Sequence, residues 1–393
     1  MATFIGTDQN ETIIPGTVSP TVTVTGNPNL SEADFIIAAG GNDTVQGGDL
    51  NDTAFLGAGD DTFIWNPGDD NDVVEGQQGL DTLLFNGANV AENIDISAVG
   101  ERSLFFRNVA AVTMDMDRVE RIEFNALGGA DQIVMNDLSG TDVTAVVLNL
   151  AGTLGGTAGD GQIDRLTLRG ANTGESIAIQ GSGTGLTVVG LPAAVSMLNA
   201  EATDTLLIEG RGGNDTINAT SLPAGILQLT IDGGAGNDRV RGGFGNDALF
   251  GRSGNDTVLG GFGNDIVDGG AGADALFGQR GADDIYTGAD GVRDRVVYSS
   301  LLDSGVTAAG RDDVFQFVHG QDKIDLRSID ANLSVSGNQA FKVVSAFTNA
   351  PGEVRLVSSG ANTLVLVDGD RDTAVDMTIR VLNAHLTTAD LLL

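Results

Sequence analysis

The chain of 393 residues contains no cysteine, which excludes disulfides and zinc–thiolate sites. Lysine is nearly missing, with only Lys323 and Lys342, and acidic residues outnumber basic ones 54 to 20. From Met1 to Glu101 there are seventeen carboxylates and no base at all; the first is Arg102. Such a balance excludes a nucleic-acid partner, because phosphate contacts need the opposite sign. An anionic membrane surface would repel the chain unless a cation bridged the two. No run of about eighteen apolar residues occurs, so no transmembrane helix or transmembrane insertion is expected. The opening MATFIGTDQNETIIPG has neither a basic n-region nor a continuous apolar h-region, so it is not expected to act as a secretory signal peptide. Histidine is limited to His319 and His385, and neither an H-E-x-x-H nor a G-x-S-x-G motif is present.

Glycine, by contrast, is abundant, with 57 residues, and much of it is periodic. From Gly233 to Tyr286 one nine-residue phrase runs six times without a gap: GGAGNDRVR, GGFGNDALF, GRSGNDTVL, GGFGNDIVD, GGAGADALF, GQRGADDIY. Its aspartates are Asp238, Asp247, Asp256, Asp265, Asp274 and Asp283. Two residues after each stands an aliphatic side chain: Val240, Leu249, Val258, Val267, Leu276 and Ile285. Glycines permit a tight turn that exposes carbonyl oxygens beside a carboxylate, and hard oxygen donors of that kind suit calcium. The aliphatic residue then points inward from a very short strand.

These phrases resemble the nonapeptide of RTX (hemolysin-type calcium-binding) proteins. The resemblance implies an all-β fold: a parallel β-roll or β-solenoid with calcium-binding nonapeptide coils and a β-rich C-terminal cap. Two nonapeptides would form one coil, so Asp238 would share an ion (Ca2+) with Asp256, and Asp256 with Asp274. Asp247, Asp265 and Asp283 would form the other edge. Three coils at a strand spacing of about 4.8 Å make a roll only ~14 Å tall, which is expected to lean on its neighbours. Replacement of Asn by Ala273 and Ala282, and of the second Gly by Arg252 and Gln279, is expected to matter little.

A weaker array lies near the N-terminus. Asp43, Asp52 and Asp61 are nine apart; a two-residue insertion leads to Asp72, and Asp81 follows nine later. Several glycines are lost, as at Leu50. Ala38 to Leu84 reads as an irregular roll with partial calcium occupancy or as a metal-poor solenoid. GTDQNETIIPGT resembles a decayed copy, with Glu11 in place of Asp. A disordered acidic chain is the bland alternative, but hydrophobic residues make up 41%, enough for a core. Unneutralised stacks of carboxylates repel, so metal-coupled folding is expected.

Between the arrays the sequence is duplicated. DTLLFNGANVAENIDI from Asp81 aligns with DRLTLRGANTGESIAI from Asp164, and AAVTM at Ala110 with AAVSM at Ala193. Each copy reads as short strands split by Gly, Asn and Asp turns, and each carries one half-phrase, ending at Asp131 or Asp215. A continuous solenoid is expected, with an Ig-like sandwich per copy as the alternative. The organisation is then an N-terminal β segment (1–37), an irregular RTX-like roll (38–84), the duplicated region (85–232, copies about 81–152 and 164–236), a regular calcium roll (233–286) and a C-terminal cap with the secretion region (287–393).

That last region resembles the C-terminus of serralysin-type proteases and other type I secretion substrates. DKIDLRSID, Phe341, Phe347, the GEVRL hairpin at Gly352, and Asp390 followed by Leu391, Leu392 and Leu393 carry the likeness. It implies an uncleaved C-terminal export signal, a type I exporter as partner and an extracellular location. Asp368, Asp370, Asp372 and Asp376 alternate like the start of an EF-hand loop but lack its Gly and distal Glu, so an exposed turn is expected, with a metal site as the alternative.

No catalytic residue is assigned. The expected function is that of an exported, calcium-binding, non-enzymatic protein acting in adhesion, surface coating or contact with extracellular polysaccharide. The alternative is a polysaccharide lyase or epimerase on the duplicated region, using Arg102, Arg107, Arg118 and Arg121, the only local cluster of bases. A calcium-dependent membrane-inserting protein is a third, weaker idea.

Overall fold

A computed structural model describes residues 1–393 except Leu333 and Val335. The described residues form short strands and two single-turn 3-10 helices, Val109–Ala111 and Thr388–Asp390, with no α-helix. By contacts the chain separates into two compact units: Met1–Gly170 with Gly181–Leu206, and Ala171–Gln180 with Leu207–Leu393.

In the first unit, strands follow from Thr, Val, Ile and Phe alternating with polar residues, one side inward and one out. Thr53–Ala58 pairs in parallel with Phe35–Ile37 before it and Val73–Gln78 after it. Thr62–Trp65 does the same between Thr44–Val45 and Thr82–Asn86. The opening segment joins these stacks, Phe4 opposite Ile36 and Ile13 opposite Val45. The two-residue insertion is absorbed in the turn at Asn66–Asp69, where the Asn66 N–H donates to Asp69 Oδ2 at 2.9 Å.

The core of this unit is aromatic. Trp65 stacks on Phe85 with centroids 4.0 Å apart and planes at 3°, and Phe105 and Phe124 continue the cluster. All four are fully buried. Beside them runs a ladder of amides: Asn86 donates to Asn66, Asn125 to Asn86, Asn149 to Asn125 and Asn199 to Asn149, at 2.7–3.0 Å. Each amide thus meets its partner one coil away, so no polar group is stranded.

The duplicated text holds more than short strands and turns. Asn93–Val99, Arg102–Arg107 and Val112–Asp117 form an antiparallel meander whose outer members pair in parallel with Gln132–Met135 and Val73–Gln78. In the second copy Gly185–Val189 and Ala194–Leu198 form the corresponding hairpin. Turns at Gly100 and Gly183, with φ of 67° and 64°, let the chain reverse inside a coil.

In the second unit the six phrases form coils of eighteen residues: Val240 lies opposite Val258 and Val258 opposite Leu276, while Leu249, Val267 and Ile285 stack on the other side. All six have no exposed surface, and each such burial is worth about 1.5–3 kcal/mol. The last coils pass into the C-terminal cap. Asp284–Tyr286 pairs with Asp312–Phe315, which pairs in parallel with Met377–Val381. Glu353–Ser359 and Asn362–Asp368 form the expected hairpin at GEVRL. The terminal strand Leu391–Leu392 pairs with Lys323–Asp325, and fully buried Asp390 accepts from the Gly320 N–H at 2.7 Å and faces His319 Nδ1 at 2.7 Å.

Candidate metal centre

Each turn of the roll delivers its aspartate to the same place in the coil. The backbone N–H of Asp238 donates to Oδ1 of Asp256 at 2.7 Å, and that of Asp256 to Oδ1 of Asp274 at 2.8 Å. On the other edge Asp247 donates to Asp265 and Asp265 to Asp283, both at 2.9 Å. The pairs expected from the eighteen-residue coil are therefore together. One oxygen of each of these acceptor carboxylates is used by the ladder. The other, Oδ2, is buried without a partner in Asp238, Asp256, Asp265, Asp274 and Asp283. Asp247 differs, because its Oδ2 accepts from the Gly243 N–H at 2.7 Å.

The free oxygens face main-chain carbonyls. A methyl placed on Gly260 would lie 2.5 Å from both Asp265 Oδ2 and the Gly278 carbonyl oxygen. At Gly251 the corresponding distances are 2.5 Å to Asp256 Oδ2 and 2.6 Å to the Gly269 carbonyl. The space beside Gly251 and Gly260, the first glycines of their phrases, is thus walled by hard oxygens from two successive coils. That donor set fits calcium, which takes six to eight oxygens at about 2.3–2.6 Å.

The electrostatics of the bare ladder are unfavourable to ionised carboxylates. Burial, reinforced by Asp274 and Asp238, pushes Asp256 up to about 7 against the amide that holds it down. Burial with Asp283 and Asp247 brings Asp265 to about 8. Burial likewise raises Asp283 to about 7 and Asp274 to about 6, and lifts Asp238 and Asp247. A divalent cation at the free oxygens would remove this penalty.

The same rungs stand in the first unit. Asp43 donates to Asp61 and Asp61 to Asp81, while Asp52 donates to Asp72, at 2.7–3.0 Å. Oδ2 is buried and unpartnered in all five. Burial raises Asp43, Asp52 and Asp81 to about 7 and Asp72 to about 8. Glu11 heads one run, its N–H on Asp43 Oδ1 at 2.6 Å, and takes the aspartate position as the decayed copy suggests.

The ladders also run through residues that the nine-residue spacing does not reveal. Glu92 donates to Asp131, Asp131 to Asp164 and Asp164 to Asp204, across 39, 33 and 40 residues. In the second unit Glu175, Asp215 and Asp238 follow one another across 40 and 23 residues. Asp274 continues to Asp294 and then Asp322, and Asp283 to Asp312. The sequence signals for these were the half-phrases ending at Asp131 and Asp215 and the duplication, which sets Asp164 on Asp81 and Glu175 on Glu92.

The small departures in the roll have distinct costs. Each Asn before an Asp accepts an N–H one coil later, Asn237 from Asn255 and Asn255 from Ala273, at 2.7 and 2.8 Å. Ala273 still donates, so only the next rung loses an acceptor. Arg252 and Gln279, however, adopt φ of 76° and 68°, a left-handed conformation costing about 1–2 kcal/mol for a residue with a Cβ. The third glycine has no such latitude: a methyl on Gly254 would sit 1.7 Å from the Gly236 carbonyl oxygen.

Of the four arginines clustered in the first copy, three are held in ion pairs. Arg102 is paired with Glu75 and Asp115, Arg121 with Glu123, and buried Arg107 with Glu92; Arg118 is exposed. Among the described residues no helix is long and apolar enough to cross a membrane.

Two family models match the chain. The model for the RTX calcium-binding nonapeptide repeat (4 copies) matches residues 30–63. No curated protein matches the chain. Among solved structures the extracellular lipase LipA from Serratia marcescens is similar at 14% identity and a TM-score of 0.21, covering 92% of this chain. The chain spans 40% of the length of that lipase. RTX repeats bind calcium, and together with a serralysin-type C-terminal domain they point to type I secreted extracellular proteins. The model described as peptidase M10 serralysin C terminal matches residues 177–393, more than half of the chain, which therefore belongs to that family.

Proposed function

We propose that this is a non-enzymatic extracellular protein that folds on calcium and works by contact with a surface or matrix polymer. The observation that carries the reading is the unpartnered Oδ2 repeated from rung to rung. Asp238, Asp256 and Asp274 hold calcium along one edge, and Asp265 and Asp283 along the other, where Asp247 has only its Oδ1 to offer because the Gly243 N–H occupies Oδ2. Asp43, Asp61 and Asp81, with Asp52 and Asp72, do so in the first unit. In a calcium-poor cytoplasm the bare ladders disfavour the fold, which keeps the chain loose enough for a type I exporter. The segment from Thr387 to Leu393 is the export address, and it is docked against His319 and Gly320 once the chain folds.

The contact face is supported by an exposed pair of rings. Phe244 and Phe262 stack with centroids 4.9 Å apart and planes at 11°, each about half exposed. They line a cavity of about 290 Å³ with Arg241, whose buried Nε has no partner, and Arg280 lies over Phe262. In a chain of net charge −34, two bases beside an apolar platform suit a sugar ring carrying a carboxylate. The enzymatic alternative is less well supported, since three of its four bases, Arg102, Arg107 and Arg121, are engaged by Glu75, Asp115, Glu92 and Glu123.

Far-ultraviolet circular dichroism after chelation and then calcium addition tests the folding claim: β structure appears with calcium, and identical spectra in both would refute it. Binding of short oligogalacturonates in calcium tests the contact face. Arg241→Gln should weaken it at least tenfold, and an unchanged affinity would remove this face from the reading.

A further inference from the structure

The C-terminal cap carries an acidic turn that belongs to neither ladder. It joins Asn362–Asp368 to the antiparallel strand Met377–Val381, with Val367 opposite Met377. Of its four aspartates, Asp368, Asp370 and Asp376 come together: one carboxylate oxygen from each lies within 4.8 Å of the others. Asp372 stays apart, its Oδ1 accepting from the Ala374 N–H at 2.7 Å. An exposed turn, the expectation from the motif, describes Asp370 and Asp372 but not Asp368, which has no exposed surface.

The hydrogen bonds of the turn leave the cluster short of donors. Asp368 Oδ1 accepts from the Asp370 N–H at 3.2 Å, and Asp376 Oδ2 from the Gly369 N–H at 2.7 Å. Asp368 Oδ2 is buried with no partner. The nearest base in sequence, Arg371, reaches Ser334 Oγ at 3.3 Å instead, and among the described residues no base forms an ion pair with the three carboxylates. Three acids with one stranded buried oxygen need a positive charge that the chain does not supply. An open cavity of about 450 Å³ lined by Asp370, Gly369, Asn332 and Pro351 gives solvent access to the turn.

We propose that Asp368, Asp370 and Asp376 hold a calcium ion outside the β-roll. The donors are all carboxylate oxygens, with no imidazole or thiolate among them, which selects a hard cation. Their disposition around the turn from Gly369 to Asp376 suits calcium better than magnesium, which demands near-ideal octahedral geometry. The ion ties the end of Asn362–Asp368 to the start of Met377–Val381, and the latter pairs with Asp312–Phe315 at the foot of the roll. It therefore locks the cap next to the last rungs, Asp283 and Asp312.

The test is equilibrium dialysis of the full chain across a series of free calcium concentrations, with bound metal counted by elemental mass spectrometry. Asp370→Asn alters an exposed residue and leaves the fold intact; Asp368→Asn removes the buried charge. Each variant should lose one ion per chain, or need at least tenfold more calcium to fill it, with far-ultraviolet spectra equal to the parent in saturating calcium. Magnesium alone should not fill the site at equal concentration. Isotherms of Asp370→Asn that superimpose on the parent would overturn the proposal, whatever the folding of Asp368→Asn. The ladder ions are counted in the same experiment and are unaffected by either substitution, so this site stands or falls separately from them.

Discussion

The backbone N–H of Asp256 donates to Oδ1 of Asp274 at 2.8 Å, and neither carboxylate has a partner for its Oδ2. Hydrogen bonding therefore builds the stack while leaving one buried acceptor per rung for a cation. The two effects work against each other in the apo chain: the ladder aligns the carboxylates, and alignment concentrates their charge.

The first consequence is a dependence on pH that calcium reverses. Asp256 and Asp283 rise to about 7 and Asp265 to about 8 in the folded state, chiefly through burial, against an ordinary value of 3.8. A raised folded pKa favours the protonated form in the fold. Its contribution is fully present below the unfolded value and is lost as pH rises through about 7 to 8. Chelated protein should therefore melt at a higher temperature at pH 5 than at pH 8. Calcium should restore the melt most strongly at pH 8, where it does not compete with protons. Thermal denaturation in both conditions measures this.

Asp265→Asn separates the ladder from the charge. The amide oxygen can still accept the Asp247 N–H, so the stack survives, but a buried negative charge is gone. Without metal the variant should be at least as stable as the parent. With calcium a hundredfold above its Kd, each ion lost removes about 2.7 kcal/mol of stabilisation. Denaturant melts with and without calcium would show the two curves changing order.

The single tryptophan reports on the first unit. Trp65 is fully buried against Phe85, and its Nε1 donates to the Asp70 carbonyl at 2.9 Å, in the segment leading to Asp72. Calcium should shift its emission to shorter wavelength as the coils close. Asp72→Asn should move the midpoint of that shift to higher calcium by at least tenfold, which fluorescence titration reads directly.

Leu50 tests the backbone cost of a lost glycine. It holds a left-handed φ of 71° with its side chain half exposed, where the phrase elsewhere has Gly. Leu50→Gly should change the stability of the calcium-loaded protein by less than about 1 kcal/mol, because the roughly 1–2 kcal/mol of strain relieved is offset by the half-buried side chain lost and the freer unfolded chain. A denaturant midpoint that falls by more than this would show that Leu50 has a packing role.

The regular roll was readable in the sequence because its coils have one length. Asp238 to Asp283 recur at every ninth residue, and the inward Val240, Leu249 and Val258 follow in step. The rungs at Glu92, Asp131, Asp164 and Asp204 occupy the same structural role but are 33 to 40 residues apart. Hairpins spliced into those coils, such as Asn93–Val99 with Arg102–Arg107, change the coil length and erase the period while the ladder persists. The Asn66 to Asn199 ladder was hidden for the same reason. At Asp368 the sequence favours an exposed turn over a metal site because the motif resembles an EF-hand poorly; burial of one carboxylate, which a sequence does not display, is what distinguishes the two.

Anomalous diffraction from crystals grown in calcium tests the ladders most directly. Peaks should stand about 2.3–2.6 Å from Oδ2 of Asp256, Asp265, Asp274 and Asp283, each shared with a carbonyl of the neighbouring turn. A folded roll whose ladder oxygens show no anomalous density in calcium would contradict the assignment, since the fold would then be standing without the cation that its buried carboxylates require.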